Sequence, residues 1–182
     1  MRTSSLVGTA AVLSLGLLGC GDSQPTEPET FVIPVYARSA ESLNFGTHLV
    51  GAEENPPVPT DADGQAVLKL SSDGTSMHYK VITNGLTAIT QSHIHIGPVG
   101  VNGPIVVFLF GFVAGGVTHD GILAEGDFTA ANLIARPAIG FGATMPELIA
   151  SLRTGGAYVN VHTVANPGGA IRGQVEEHGP TR

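Results

Sequence analysis

The chain has 182 residues and a formal net charge of −7, with 25 glycines, 12 prolines, one cysteine and no tryptophan. An acidic chain without basic clusters is a poor partner for nucleic acid, and a single cysteine excludes an internal disulfide. The abundance of glycine and proline disfavours long helices and favours short strands joined by many turns.

The N-terminus has the pattern of a secretory signal that ends at a lipidation site. Arg2 supplies a positive start, residues 6–19 are mostly apolar, and two leucines and a glycine directly precede Cys20, as in a lipoprotein cleavage box. The apolar stretch is shorter than the ~20 residues that a transmembrane helix needs. We therefore predict a signal peptide over residues 1–19 and a thioether-linked, palmitate-bearing lipid on Cys20.

The predicted lipid locates the mature protein in the cell envelope, with the membrane as its first partner. Gly21 rather than aspartate follows Cys20, which in a Gram-negative host favours the outer membrane, on its periplasmic side or at the surface. Because Cys20 is the only cysteine, a metal site in the exported domain would have to use imidazole and carboxylate ligands.

The residues after the signal divide into a tether, a β domain and a tail. Residues 20–42 begin with a polar, proline-containing sequence that has little to bury. Over residues 43–176 the dominant hydrophobic period is two, which is typical of half-buried strands, and turn signals such as Asp73-Gly74 interrupt it. Residues 177–182 are assigned to the tail.

One segment departs from the strand pattern. Thr144 precedes Glu147 by three residues in a capping-box arrangement, and apolar residues follow at helical spacing. We predict one short helix near residues 145–153, and a further single turn within residues 129–135. The remainder predicts an all-β antiparallel sandwich or small barrel of seven or eight short strands.

Polar residues occur where a β core would hold apolar ones. His93 and His95 are two apart on one predicted strand and share a face, as do Asn160 and His162 on another. Arg172 lies on the strand that pairs with the second of these through a tight turn. An H-x-H pair with a third, distant histidine can assemble three imidazoles around copper or zinc.

Three interpretations of these residues remain open. They could form a metal site, a structural polar network that ties loops together, or a small-molecule or proton-transfer site. The metal interpretation requires the ring nitrogens of His93, His95 and His162 to lie within roughly 5 Å of one another. Glu54 could be a metal ligand or a general base, although we favour a role in accepting backbone donors within its loop.

The other signals give no support to an enzyme of a known hydrolase or nucleotide-binding type. There is no G-x-S-x-G, P-loop or cysteine nucleophile in the sequence, so enzymatic activity is left undecided. The remaining histidines are expected to be exposed on strands, in a glycine-rich loop and in the tail; they are His48, His78, His119 and His178.

Five segments together resemble the CHRD domain, a family named for its repeats in chordin and found singly in many bacterial exported proteins. The segments appear in family order; they are GAEENPPV (51–58), SHIHIG (92–97), NGPIVV (102–107), YVNVHT (158–163) and NPGGAIRGQV (166–175). The characteristic positions of the family fall on Glu54, His93, His95, Asn160, His162 and Arg172. Asn55 departs from the family pattern, which has an apolar residue there, and is expected to loosen its loop.

The resemblance implies an immunoglobulin-like or superoxide-dismutase-like exported β domain without an assigned activity. One hypothesis is therefore a lipid-anchored extracytoplasmic binding or structural module, with an envelope or extracellular protein as a candidate partner. The alternative is a domain that binds copper or another transition metal through His93, His95 and His162, with redox activity toward superoxide as a candidate function. In either case Glu54, Asn160 and Arg172 are expected to form a supporting polar network.

Overall fold

The alternation of apolar and polar residues generates most of the strands in the computed structural model, which describes residues 43–179. The predicted signal peptide (residues 1–19), the lipidation site Cys20 and the tether (residues 20–42) lie outside the described residues. The strands of the described part are β1 (Asn44–Val50), β2 (Asp63–Leu70), β3 (Ser76–Asn84), β4 (Ile89–Ile96), β5 (Ile105–Phe110), β6 (Gly121–Thr129), β7 (Ala157–Thr163), β8 (Ile171–Gln174) and β9 (Glu176–His178).

These strands form a single antiparallel sheet with the order β5-β4-β7-β8-β1-β2-β3-β6. β8 and β9 both pair with β1, at opposite ends of that strand. The two outer strands, β5 and β6, approach each other. Hydrogen bonds join β5 to the opposite edge of the sheet: Tyr79 Oη of β3 donates to Leu109 O at 2.8 Å, and Ile134 N, in the segment after β6, donates to Val106 O at 2.7 Å. The sheet is therefore a nearly closed barrel rather than a two-sheet sandwich.

Apolar side chains from one face of each strand fill the interior of the barrel. Phe45 and Leu49 of β1 and Leu68 of β2 have no exposed surface, and neither has Ile94 of β4 or Val159 of β7. Because neighbouring residues on a strand point to opposite faces, this inward set leaves the intervening residues on the outer face of the barrel wall.

The predicted helix is confirmed as α1 (Met145–Arg153). Thr144 Oγ1 accepts from the backbone N–H of Glu147, and the Glu147 carboxylate accepts from the backbone N–H of Thr144, which completes the capping box. Leu148 and Leu152 are fully buried against the sheet. No helix among residues 43–179 is long and apolar enough to cross a membrane.

Two strands and two short helical turns were not predicted. β6 was missed because its sequence, GILAEGDFT, contains two glycines and two acidic residues and half-exposes Ile122, all of which weaken a strand signal. β9 includes the first two residues of the predicted tail. Single 3₁₀ turns occur at Gly51–Glu53 and Pro137–Ile139, while the turn at Ala130–Asn132 lies within the predicted 129–135 segment.

Candidate functional site: a buried histidine cluster

The candidate site lies on the outer face of the barrel wall, where β4, β7 and β8 are neighbours. Antiparallel pairing aligns His93 with Asn160, and Asn160 with Arg172, in one row across the three strands. The next row pairs His95 with Tyr158. The alternate residues of these strands enter the core, so the polar set faces away from it.

Two loops cover this polar face and bury it. Arg172, which is 1% exposed, donates to the carbonyl oxygens of Val101 at 3.0 Å and Pro98 at 3.3 Å, and to Asn102 Oδ1 at 3.1 Å. Asn102 in turn donates to the carbonyl oxygen of Asn55 at 2.6 Å. The loop of residues 97–104 is therefore fastened to the sheet and to the loop of residues 51–58.

His93, His95 and His162 converge on one point. One ring nitrogen from each lies within 4.8 Å of those of the other two. The ring centroids of His93 and His162 are 4.8 Å apart, and those of His93 and His95 are 5.5 Å apart. All three side chains are buried, with exposed fractions of 0%, 7% and 5% in chain order. This spacing is within the roughly 5 Å that a shared metal ion requires.

Loop carbonyls determine which nitrogen of two of these rings carries a proton. His95 Nδ1 lies 2.8 Å from Gly103 O, and His162 Nδ1 lies 2.9 Å from Pro167 O. A carbonyl oxygen only accepts, so both Nδ1 atoms donate and both Nε2 atoms carry a lone pair. A hydrogen bond from the second ring nitrogen to a carbonyl is the usual way in which a protein orients a metal-binding histidine.

The two ring nitrogens of His93, the third histidine of the cluster, have different surroundings. Its Nδ1 lies 3.1 Å from His162 Nε2, and its Nε2 has no hydrogen-bond partner although it is buried. His95 Nε2 is also buried without a partner. Buried polar atoms in folded proteins are rarely left unpaired, so these two nitrogens are available to a ligand.

The neutral state of the cluster follows from its surroundings. Burial lowers the pKa of His93 to about 3, and the neighbouring His162 and His95 act in the same direction. Burial also lowers the pKa of His95 to about 4, against the opposing effect of the Gly103 carbonyl. The pKa of His162 is lowered by burial as well. At neutral pH all three imidazoles are therefore uncharged, which is the form that binds a metal ion.

Asn160 lies beside the cluster, with its Oδ1 atom 3.0 Å from His162 Nε2. Because that nitrogen carries a lone pair, the amide must present its NH₂ group to the metal-free ring, which needs only a flip of the side-chain amide. Asn160 is thus a weak, uncharged partner next to the point where the ring nitrogens meet.

A stack of aromatic and cationic groups extends from His95. The ring of Tyr158 stacks on His95 at 4.7 Å with an interplanar angle of 10°, and Arg172 Cζ lies 3.4 Å from the Tyr158 ring centroid. The Tyr158 hydroxyl accepts from the backbone N–H of Gly103. Tyr158 was not among the predicted site residues, although its position two residues before Asn160 placed it on the same strand face.

Glu54 is buried but does not join the histidine cluster. Desolvation raises its pKa to about 7, although Arg172 and the Asn55 backbone N–H act in the opposite direction. Its Oε1 atom has no hydrogen-bond partner and lies directly over Gly169, where any side chain would collide with the carboxyl group. Glu54 therefore belongs to the loop region, accepts one backbone donor there and leaves one oxygen unused.

The expectation for Asn55 was wrong. Instead of loosening its loop, Asn55 connects two loops, because its side chain donates to Gly100 O at 2.7 Å while its carbonyl accepts from Asn102. The connecting role of Asn102 was not predicted, although it begins the NGPIVV segment. The other histidines are exposed, as expected; they are His48, His78, His119 and His178.

The histidine cluster lies within a segment that matches a known protein family. A family model, the CHRD domain, matches residues 45–175, which include every residue of the histidine cluster and of the loops that cover it. No solved structure matches the chain. Because the matched segment makes up most of the sequence, the chain belongs to the CHRD domain family.

Proposed function

We propose that this CHRD domain is a binding module whose ligand is a transition-metal ion held by His93, His95 and His162. The observation that carries the proposal is the convergence of three ring nitrogens within 4.8 Å. Imidazole ligands at about 2.0–2.1 Å from a metal lie about 3.3 Å from one another in tetrahedral geometry. The ring nitrogens of the metal-free cluster therefore lie within about 1.5 Å of the separation that a bound ion would require.

The surroundings of the cluster support the same proposal. Two of the rings donate from Nδ1 to loop carbonyls. Their Nε2 atoms are therefore directed away from the loops and can act as uncharged metal ligands. Copper and zinc both accept imidazole. The residues present therefore suit either metal, and a copper ion would add redox chemistry, for which superoxide is a substrate that can be assayed.

Calorimetry with Zn(II) and Cu(II) tests the proposal. The full chain should carry Cys20→Ala, so that the only thiol does not compete for metal. We expect binding of one ion per chain with a micromolar or lower Kd, and a loss of at least 100-fold in affinity in His95→Ala. The exposed His48 provides the matched control, and His48→Ala should bind as the parent does. Binding no tighter than millimolar in the parent chain would refute the proposal.

A structural polar network is the second candidate, because every member of the cluster also has an internal hydrogen bond. His93 meets His162, and the other Nδ1 atoms meet loop carbonyls. On this hypothesis His162→Ala lowers the free energy of unfolding while the parent chain takes up no metal. The same calorimetric titration therefore separates the two functions.

We further propose that the domain acts at a membrane surface as a lipoprotein. The support is the sequence alone, in which a short apolar segment ends at the unique Cys20. In an expressing bacterium, labelled palmitate should enter the full chain and the protein should fractionate with membranes. Cys20→Ser should abolish both; palmitate incorporation that persists in this variant would exclude Cys20 as the site. An envelope or extracellular protein is the partner class that such a location favours.

A further inference from the structure

The histidine cluster contains no negative charge. Among residues 43–179, the group of potential metal ligands at this point consists of three histidines and no carboxylate. The only thiol of the chain, Cys20, lies outside this part. A metal ion would therefore bring its full positive charge into a buried site, with no ligand to neutralise it.

A permanent positive charge already lies near the cluster. The Arg172 guanidinium stacks on Tyr158, and Tyr158 stacks on His95. These spacings place the guanidinium at most about 8 Å from the His95 ring, and a guanidinium stays protonated in proteins. The Glu54 carboxyl opposes this charge only in part, because its raised pKa of about 7 leaves it partly neutral at neutral pH.

From these charges we infer that the cluster selects a monovalent soft ion, Cu(I), over divalent Cu(II) and Zn(II). The inference rests on the proposed metal-binding function and specifies its ligand. A metal ion bonded to His95 would lie about 8–11 Å from the guanidinium, and at an effective dielectric constant of about 20 each additional unit of charge on it weakens binding about 10–30-fold through repulsion by Arg172. Burial adds to this preference, because the cost of desolvating an ion rises steeply with its charge.

The number of ligands favours the same ion. Three imidazoles complete the shell of a trigonal ion such as Cu(I), whereas Zn(II) needs a fourth ligand, which in three-histidine sites is a water molecule that this buried cluster would have to admit. Asn160 lies beside His162 Nε2 and offers only a neutral amide, which is a weak metal ligand. Among divalent ions, Cu(II) usually binds a nitrogen site more tightly than Zn(II) does. That order makes no prediction for Cu(I), so tighter binding of Cu(I) than of both divalent ions is an outcome specific to this inference.

The test measures three affinities on the full chain carrying Cys20→Ala. Cu(I) is titrated without oxygen against a chromophoric Cu(I) chelator, and Cu(II) and Zn(II) are titrated by calorimetry. We expect a Kd for Cu(I) at least tenfold lower than that for either divalent ion. If Cu(II) or Zn(II) binds as tightly as Cu(I) or more tightly, the selectivity is refuted while the metal site stands. If no ion binds more tightly than millimolar, both proposals fail.

A change of charge at nearly constant shape separates electrostatics from ligand geometry. Asn160→Asp places a carboxylate about where the amide now lies, 3.0 Å from His162 Nε2, and should reduce the preference for Cu(I) over Cu(II) at least tenfold. Asn160→Ala removes the amide without adding charge and should leave the preference within threefold of the parent. An equal preference in Asn160→Asp and the parent chain would refute the electrostatic origin.

Arg172 gives the complementary test. Arg172→Gln removes the cation and should reduce the preference for Cu(I) by about 10–30-fold, whereas Arg172→Lys retains the charge and should retain most of the preference. Circular dichroism checks that each variant is folded. A preference that is unchanged in folded Arg172→Gln would show that this charge does not set the selectivity.

Discussion

His95 and His162 are held in the same way although they lie on different strands. Each donates from Nδ1 to a loop carbonyl, of Gly103 in one case and of Pro167 in the other. Each therefore presents a neutral Nε2 atom to the point where the third ring, that of His93, also arrives. This arrangement requires the imidazoles to be buried in their neutral state, and that requirement makes the stability of the folded domain depend on pH.

The histidines make the metal-free domain sensitive to acid. The pKa values of about 3 for His93 and about 4 for His95 lie below the value of 6.5 expected in the unfolded chain. As the pH falls below about 6.5 the unfolded chain takes up protons first, so folding becomes less favourable down to about pH 4. We expect each of the two residues to lower the free energy of unfolding by about 1.4 kcal/mol per pH unit across that window.

Urea denaturation of chelator-treated protein at pH 7 and pH 5 measures this effect. His93→Asn removes one of the titrating groups and should lose less stability over the interval than the parent chain does. The exposed His48 is the control, and His48→Asn should retain the pH dependence of the parent. A parent chain as stable at pH 5 as at pH 7 would contradict the lowered pKa values.

Glu54 should act in the opposite direction. Its pKa of about 7 in the folded state exceeds the unfolded value of 4.5, so stability is lost as the pH rises between these values. Glu54→Gln removes the buried charge and should be more stable than the parent at pH 8 by about 1–3 kcal/mol, with little difference at pH 4.5. Urea denaturation at the two pH values gives the comparison. Glu176→Gln, at an exposed position, should change stability by less than about 0.5 kcal/mol.

At the scale of elements, the site depends on loops that β8 holds in place. Arg172 of β8 donates to two carbonyls and one amide oxygen of the 97–104 loop, and this loop supplies the Gly103 carbonyl that orients His95. Gly103 itself packs against the backbone of Ile96 so closely that a side chain would collide with it. The loop and β4 therefore form one unit, and Arg172 is a positioning residue for it.

Arg172→Lys tests this positioning role. Lysine keeps the charge but lacks the planar fork that reaches three acceptors, so we expect a loss of about 2–4 kcal/mol in the free energy of unfolding. Metal affinity should also fall, because His95 loses its fixed orientation, while the ratio of Cu(I) to Cu(II) affinities changes little. The partly exposed Arg153, which pairs with Glu177, supplies the control, and Arg153→Lys should stay within about 1 kcal/mol of the parent.

For the whole molecule, the histidine cluster connects strands that the chain reaches far apart. β4 and β7 carry the ligands, and 69 residues of sequence separate His93 from His162. A metal ion bound there would hold these strands together only in the folded barrel. Binding that requires the folded state raises the free energy of unfolding in proportion to the logarithm of ligand concentration.

Thermal unfolding with and without metal measures this linkage. At a free metal concentration 100 times the Kd, we expect the folded state to gain about 2.7 kcal/mol and the midpoint temperature to rise accordingly. His95→Ala should abolish the rise, whereas His48→Ala should retain it. A rise that persists undiminished in His95→Ala would show that the stabilising metal binds elsewhere on the chain.

The local features of the fold could be predicted from the sequence. The period of two placed His93 and His95 on one face of a strand, and the Thr144–Glu147 capping box located α1 at Met145–Arg153. These signals are readable because strand alternation and helix capping involve residues close in the chain. β6 was not predicted because its glycines and acidic residues give only a weak local strand signal. Pairing with β3, a contact between distant segments, stabilises it.

The contacts between distant segments of the chain are visible only in the folded domain. The sequence predicts neither the pairing of β4 with β7, which brings His162 to His93, nor the closure of one sheet into a barrel. The Gly103 and Pro167 carbonyls, which set the protonation of two rings, belong to loops whose paths depend on Arg172 and Asn102. Contacts between distant segments depend on packing and hydrogen bonds that form in the assembled fold, and no local pattern of residues records them.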